Sequence, residues 1–368
     1  MAALTARVVR VSCQQVPPVV GCAYVNSRHE STAVYKGQST NLAAYRRGRG
    51  GRASFSGIVA TVFGASGFLG QSVVNRLGKI GTQIIAPYRG NSYFMRDLKL
   101  AGDLGQIVFV PFELQDEEAI RKAMKYSNVV VNLIGRDWET KNYKYEDVNV
   151  ESAARIARLA REMGVEKFVH FSHLNAQPNP PEILLKGGSR YLKTKYQSEQ
   201  AVRNEFPDAI IFKPSDVYGA GDRFLVYYAS RHVAEGVVNA IRDPEAVGKT
   251  FEAVGPSSYY LSDLIDYMYG LLRYDNFKRI HLTPEFKLKA MLLEKIMPVT
   301  PPVVVDRLSR EHVNDKTAYL PSLVDLGVKL TNFEERVPFE LKPYKKYGYY
   351  EDLLGEFAEP QPPQPIKS

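Results

Sequence analysis

The stretch IVATVFGASGFLGQSVVNRL, residues 58–77, constrains this chain more than any other. Residues 58–63 read as a strand buried on both faces, and Leu69, Val73, Val74 and Leu77 recur at helical spacing from 68 onward. Between them stand Gly64, Gly67 and Gly70, at G-x-x-G-x-x-G spacing. In a strand–turn–helix unit the first glycine allows a tight exit from the strand. The second lets backbone approach a pyrophosphate, and the third lets the helix close on the sheet. Gly64, Ser66, Gly67, Phe68, Leu69 and Gly70 are therefore expected to turn backbone N–H groups toward a dinucleotide phosphate.

The alternation continues. Strands are expected at 83–87, 106–112, 128–134, 167–171 and 209–213, with helices at 117–124, 148–163 and from 191 to near 204. This predicts an α/β protein with a Rossmann-type, doubly wound parallel sheet occupying 58–218. The second strand runs into Tyr88-Arg89-Gly90, where an NAD site usually carries an acid for the ribose hydroxyls. Arg89, nineteen residues past Gly70, offers a guanidinium that suits the 2′-phosphate of NADP(H); the bland alternative is a solvated arginine at the sheet edge. Asp116 reads either as a partner for the adenine amino group or as the cap of the following helix. Leu133, Ile134 and Gly135 leave the fourth strand beside the nicotinamide half, where their backbone would line the cofactor.

Beyond the fifth strand come Ser172-His173 and then Tyr191 and Lys195, four apart and so on one helix face. Such a pair suits hydride transfer, with the tyrosine handling a proton at a carbonyl oxygen and the ammonium lowering its pKa and holding the ribose. Ser172 would orient the same oxygen. His173 reads first as a strand-end residue bonding backbone, and as an acid or base only second. The six histidines form no metal-ligand spacing, and no G-x-S-x-G elbow supports a hydrolase.

Charge locates the flanking segments. The chain of 368 residues carries +8, yet up to residue 57 eight basic residues face the single acid Glu30, so seven of the eight excess charges lie there and the remainder is nearly neutral. Residues 1–35, Arg- and Ser-containing and acid-poor, read as a mitochondrial transit peptide, against the alternative of a loose cytosolic N-terminus. Residues 36–57 form a basic extended arm that is either a solvated linker or laid on an acidic partner subunit or anionic lipid. Nucleic acid is not expected, since no RNP-like pattern or zinc spacing accompanies the arm. No run of about 18 uncharged apolar residues occurs, so no transmembrane span is expected. Residues 219–341 are expected to form a smaller C-terminal α/β lobe interleaved with the core, with a helix at 223–242, a strand at 249–254, a helix at 261–272 and the stretch 315–326. Within it, 284–298 reads as a helix whose Leu288, Met291, Leu292 and Met297 either pack on the lobe or meet a headgroup layer or partner. Residues 342–368 are an aromatic and Pro-rich tail.

The series TVFGASGFLG, PYRG, NLIG, DVNVESAARIARLA, FVHFSHLNA, YLKTK and FKPSDVYGAGDRF resembles the extended or atypical branch of the short-chain dehydrogenase/reductase superfamily over about 58–341. With SHLNA and the basic arm, it is similar to a family of accessory subunits of mitochondrial respiratory complex I, NADH:ubiquinone oxidoreductase. The resemblance implies a matrix-side subunit at the inner membrane that holds NADPH off the main electron path, supports assembly or stability, and contacts other complex I subunits. It also implies that Gly64, Gly67, Gly70 and Arg89 bind the cofactor, that Tyr191 and Lys195 adjoin its nicotinamide ribose, and that Pro214 packs by the nicotinamide. The alternative is an active NADP-dependent reductase or epimerase of the matrix. One departure stands out: Ser172-His173 replaces the usual paired small residues, only nineteen residues before Tyr191, which weakens Ser172 as a third catalytic member.

Overall fold

The computed structural model describes residues 47–48, 51–217, 231–274, 283–297, 301, 303–348 and 359–366. All belong to one unit, Thr40–Ser368. The expected transit peptide, most of the basic arm and part of the expected helix 223–242 lie outside the described residues.

The strands are β1 (Val59–Phe63), β2 (Gln83–Tyr88), β3 (Ile107–Pro111), β4 (Val129–Asn132), β5 (Lys167–Phe171), β6 (Ile210–Pro214) and β7 (Thr250–Ala253). They form one sheet in the order β3-β2-β1-β4-β5-β6-β7, parallel throughout. The helices are α1 (Phe68–Lys79), α2 (Glu117–Met124), α3 (Ser152–Glu162), α4 (Arg190–Glu205), α5 (Arg231–Arg242), α6 (Leu261–Leu272), α7 (Pro284–Ile296), α8 (Val305–Glu311) and α9 (Phe333–Leu341). Both sheet faces are covered, which is why the central strands are buried almost throughout and mostly apolar, with Thr61, Asn132, Lys167 and His170 as the buried polar exceptions. On one face Ala60, Val62, Val129 and Val131 pack with Val73, Val74 and Leu77 of α1 and Val237 and Ile241 of α5. On the other, Phe63, Ile85 and Val130 pack with Ile120 of α2, Ile156 and Leu159 of α3, and Val202 of α4.

The order reverses between β1 and β4, so the crevice at their C-terminal ends is the topological switch point where open α/β sheets bind ligands. Two placements differ from the sequence expectation. The sheet does not end near residue 218: the strand expected in the lobe is β7, which pairs with β6 through Phe212 and Phe251. Its periodicity gave no hint of which neighbour it would join. The stretch 315–326 runs beside β7, where the Glu252 carboxylate accepts from the Ala318 N–H at 2.7 Å and the Glu252 N–H donates to the Pro321 carbonyl at 2.8 Å.

Nearer the termini, Arg47 and Phe55 exchange backbone hydrogen bonds, and the Ser56 N–H donates to the Gly81 carbonyl, tying the end of the arm to the α1–β2 turn. α6 and α9 share a small core of Tyr267, Leu271, Phe333, Val337 and Leu341. The tail residue Ile366 donates its N–H to the Ser258 carbonyl at 2.8 Å, so residues 359–366 lie along their own chain. No helix among the described residues is long and apolar enough to cross a membrane.

Candidate nucleotide site

At the crevice, Gly64 has φ +81°, a conformation that L side chains avoid, and an added Cβ would lie 3.1 Å from the Leu133 carbonyl group. Gly70 is tighter still: its Cβ would stand 2.2 Å from the Gly64 oxygen and 2.7 Å from the Ala65 Cα, so only glycine lets α1 seat on the turn. Gly67 occupies the N-cap of α1, and no side chain caps the helix or places an acid in its first turn. Ser66 and Gly67 are exposed and Phe68 and Leu69 half-buried, which leaves an open, uncapped helix start. An exposed helix start of this kind fits a pyrophosphate, since its free backbone N–H groups and positive end are open to an anion.

Arg89 is exposed one residue beyond β2, with its guanidinium carbon 5.8 Å from the centre of the Tyr143 ring. Asp116 caps α2, its Oδ1 accepting from the Ala119 N–H at 3.0 Å, so of its two readings the cap accounts for the observed contact. Leu133 and Ile134 are half-buried and Gly135 exposed at the end of β4. The Asn132 Oδ1 accepts from the Ile134 N–H at 3.1 Å and fixes that exit. Pro214 is buried at the end of β6, and its carbonyl accepts from the Leu174 N–H.

The structure brings Tyr191 and Lys195 to this same edge. The Lys195 Nζ is buried, donates to the Phe171 carbonyl at 3.0 Å, and lies 3.1 Å from where a Cβ on Gly135 would stand. Burial holds its pKa down to about 8, with Glu199 opposing that shift. The Tyr191 hydroxyl makes no hydrogen bond among the described residues, and burial pushes its pKa up to about 12 against the pull of Arg310. Ser172 is not aimed at the same place: its hydroxyl donates to the Glu199 carboxylate, which also pairs with the Lys213 ammonium at 3.2 Å. A hydroxyl proton committed to a carboxylate cannot also orient a substrate oxygen. His173 accepts the Asn175 N–H at Nδ1, 3.1 Å, so the neutral ring carries its proton on Nε2, which is buried with no hydrogen-bond partner among the described residues, 3.9 Å from the Asp216 carboxylate.

Several residues of this edge escaped the sequence analysis. Asp306 of α8 accepts from the N–H groups of Arg190 and Tyr191, at 2.8 and 3.2 Å, and from the Ser189 hydroxyl at 3.0 Å, capping α4 from across the chain. Asn149, within a π-helical turn at Glu146–Glu151, accepts from the Arg136 N–H at 3.2 Å and donates to the Thr194 hydroxyl at 3.3 Å, bracing the loop after β4 against α4. Arg310 of α8 lies over the Tyr191 ring, 4.9 Å from its centre. Sequence separations of 115 and more hide the Asp306 contacts from any local pattern. Among the described residues no cluster of His, Cys, Asp and Glu could hold a metal ion.

Comparisons with known proteins extend these observations. The NAD dependent epimerase/dehydratase family matches residues 60–267. The chain is 39% identical to the mouse NADH dehydrogenase [ubiquinone] 1 alpha subcomplex subunit 9, mitochondrial, over 99% of each chain. It is 33% identical to the Neurospora crassa NADH-ubiquinone oxidoreductase 40 kDa subunit, mitochondrial, over 83% of this chain and 84% of that one. Among solved structures, one of pinoresinol-lariciresinol and phenylcoumaran benzylic ether reductases superposes with a TM-score of 0.55 at 15% identity, covering 77% of this chain and 99% of that one, a likeness of fold. From the glycine cradle, the sheet order and the near end-to-end similarity, the chain belongs to the NAD dependent epimerase/dehydratase family and, within it, to the family of mitochondrial NADH dehydrogenase (ubiquinone) 1 alpha subcomplex subunit 9 proteins.

Proposed function

We propose that this chain is an accessory subunit of mitochondrial NADH:ubiquinone oxidoreductase, on the matrix side of the inner membrane, that holds NADPH and supports assembly or stability of the complex off the main electron path. The observation that carries this reading is the 99% coverage of both chains in the match to the mouse subunit, which takes in the flanking segments as well as the nucleotide fold. When bound, NADPH supplies a hydride donor at its nicotinamide ring.

The chain's own residues account for holding it. The uncapped start of α1 meets the pyrophosphate through Ser66, Gly67, Phe68, Leu69 and Gly70, with Gly64 shaping the exit from β1. Arg89 meets the 2′-phosphate, and Asp116 lies at the adenine end. Lys195 holds the ribose hydroxyls beside Tyr191, while Leu133, Ile134, Gly135 and Pro214 line the nicotinamide half. A holding role fits the state of Ser172, whose hydroxyl is engaged by Glu199. α7 supports a place in an assembly: only Ala290 is buried, while Leu288, Met291, Leu292, Ile296 and Met297 face outward beside Lys289 and Lys295, an apolar strip suited to neighbouring subunits or to inner-membrane lipid. One observation keeps the reading of an active NADP-dependent reductase or epimerase: the unpartnered Tyr191 hydroxyl beside the Lys195 ammonium.

Depletion of the chain from cells tests the proposal. Loss of the fully assembled respiratory complex on native gels, restored by a Tyr191→Phe variant, supports a holding subunit. Undiminished assembly contradicts it, and failure of Tyr191→Phe to restore function favours the enzyme.

A further inference from the structure

We infer that Arg310 makes the nicotinamide end of this site select the reduced nucleotide over the oxidised one. The inference rests on the NADPH reading above. Arg310 reaches the site from α8, and its guanidinium carbon sits 4.9 Å from the centre of the Tyr191 ring. Among the described residues its buried Nε has no hydrogen-bond partner and no carboxylate comes within 4.0 Å of its guanidinium. Burial works to lower its pKa, but the fields of Tyr191, Asp216, Asp137 and Glu311 outweigh that and hold the group charged. The residue as a whole is half-buried, and its packing on the Tyr191 ring fixes a positive charge at this end of the site.

The ligand's charge at this end depends on its redox state. The nicotinamide ring is positively charged in NADP+ and neutral in NADPH, whereas the phosphates carry the same charge in both. A fixed cation stacked on the tyrosine that adjoins the nicotinamide ribose therefore opposes one redox state and leaves the other untouched. Lys195, whose Nζ lies 5.8 Å from the same ring centre, acts in the same sense, but the Glu199 carboxylate offsets its charge. Two unit charges about 10 Å apart at an effective dielectric constant of about 20 interact strongly enough to shift relative affinity on the order of tenfold.

The test titrates the full-length chain with NADPH and with NADP+ and takes the ratio of the two dissociation constants. Wild type is expected to favour NADPH, Arg310→Met to lose about tenfold of that preference, and Arg310→Lys to retain it. A companion measurement needs no variant: the midpoint potential of the bound couple should lie above that of the free couple, by about 30 mV for each tenfold preference. An unchanged ratio in Arg310→Met with both nucleotides still bound overturns the inference, as does a bound couple at or below the free potential. Failure of the wild-type chain to bind either nucleotide overturns the NADPH reading itself, and this inference with it.

Discussion

Replacing Gly70 by alanine puts the phosphate cradle under a defined strain. The new Cβ would stand 2.2 Å from the Gly64 oxygen and 2.8 Å from the Ala65 carbonyl carbon, both backbone atoms that cannot rotate away. Ordinary contact requires about 3.4 Å, so the start of α1 must retreat by about 1 Å from the β1 exit. Overpacking of this kind costs about 1–3 kcal/mol, and the better helix propensity of alanine returns up to about 1 kcal/mol. The expected net loss is about 1–2 kcal/mol, a fall in Tm of a few degrees. The same retreat misaligns the first-turn N–H groups. A charge-assisted hydrogen bond is worth about 1.5–3 kcal/mol, so NADPH affinity should fall tenfold to a hundredfold. Gly78→Ala is the control, because its Cβ would meet the Ala101 oxygen at 2.3 Å, at the far end of α1. It should destabilise the chain similarly and leave NADPH affinity within about threefold of wild type once the folded fraction is allowed for. Equal affinity in Gly70→Ala and wild type, or an equal loss in both variants, refutes the assignment of the cradle.

Arg89→Glu should weaken NADPH binding by about tenfold to a hundredfold and NADH binding far less, measured by titration of each nucleotide; equal losses would remove the 2′-phosphate role. Asp306→Ala leaves the Arg190 and Tyr191 N–H groups and the Ser189 hydroxyl without their shared acceptor, and should cost about 2–4 kcal/mol in urea unfolding, with Asp306→Asn recovering part of it. His170 is buried between Ser198 and Asn132, and burial holds its pKa down to about 3 from an ordinary value of 6.5. The unfolded chain therefore binds a proton that the folded chain refuses, and stability should fall as pH drops from 6.5 toward 3, by up to about 1.4 kcal/mol per pH unit. Chemical denaturation at pH 7.5, 6 and 5 measures the slope, and a His170→Gln variant should flatten it.

The part of the site that sequence made legible is the part built locally. The glycines, the turn and α1 are consecutive, and Tyr191 and Lys195 share a helix face by spacing alone, so pattern and chemistry agree there. The hidden part depends on chain crossings. Asp306 and Arg310 sit on a seven-residue helix too short for a periodic signal, and they matter only because it docks on α4 and Tyr191. The capture of Ser172 by Glu199 was equally invisible: Glu199 reads as one more polar residue on α4 until β5 and β6 bring Ser172 and Lys213 to it. β7 illustrates the same limit for the fold, since a four-residue strand fits a sheet edge or a separate lobe equally well.

The central claim is that this chain works as a nucleotide-holding component of the respiratory complex, and gentle extraction of mitochondria tests it most directly. Native separation followed by nucleotide release should find the chain in a very large membrane assembly with NADPH in near-stoichiometric amount. A chain recovered as a soluble monomer without retained nucleotide would contradict the account.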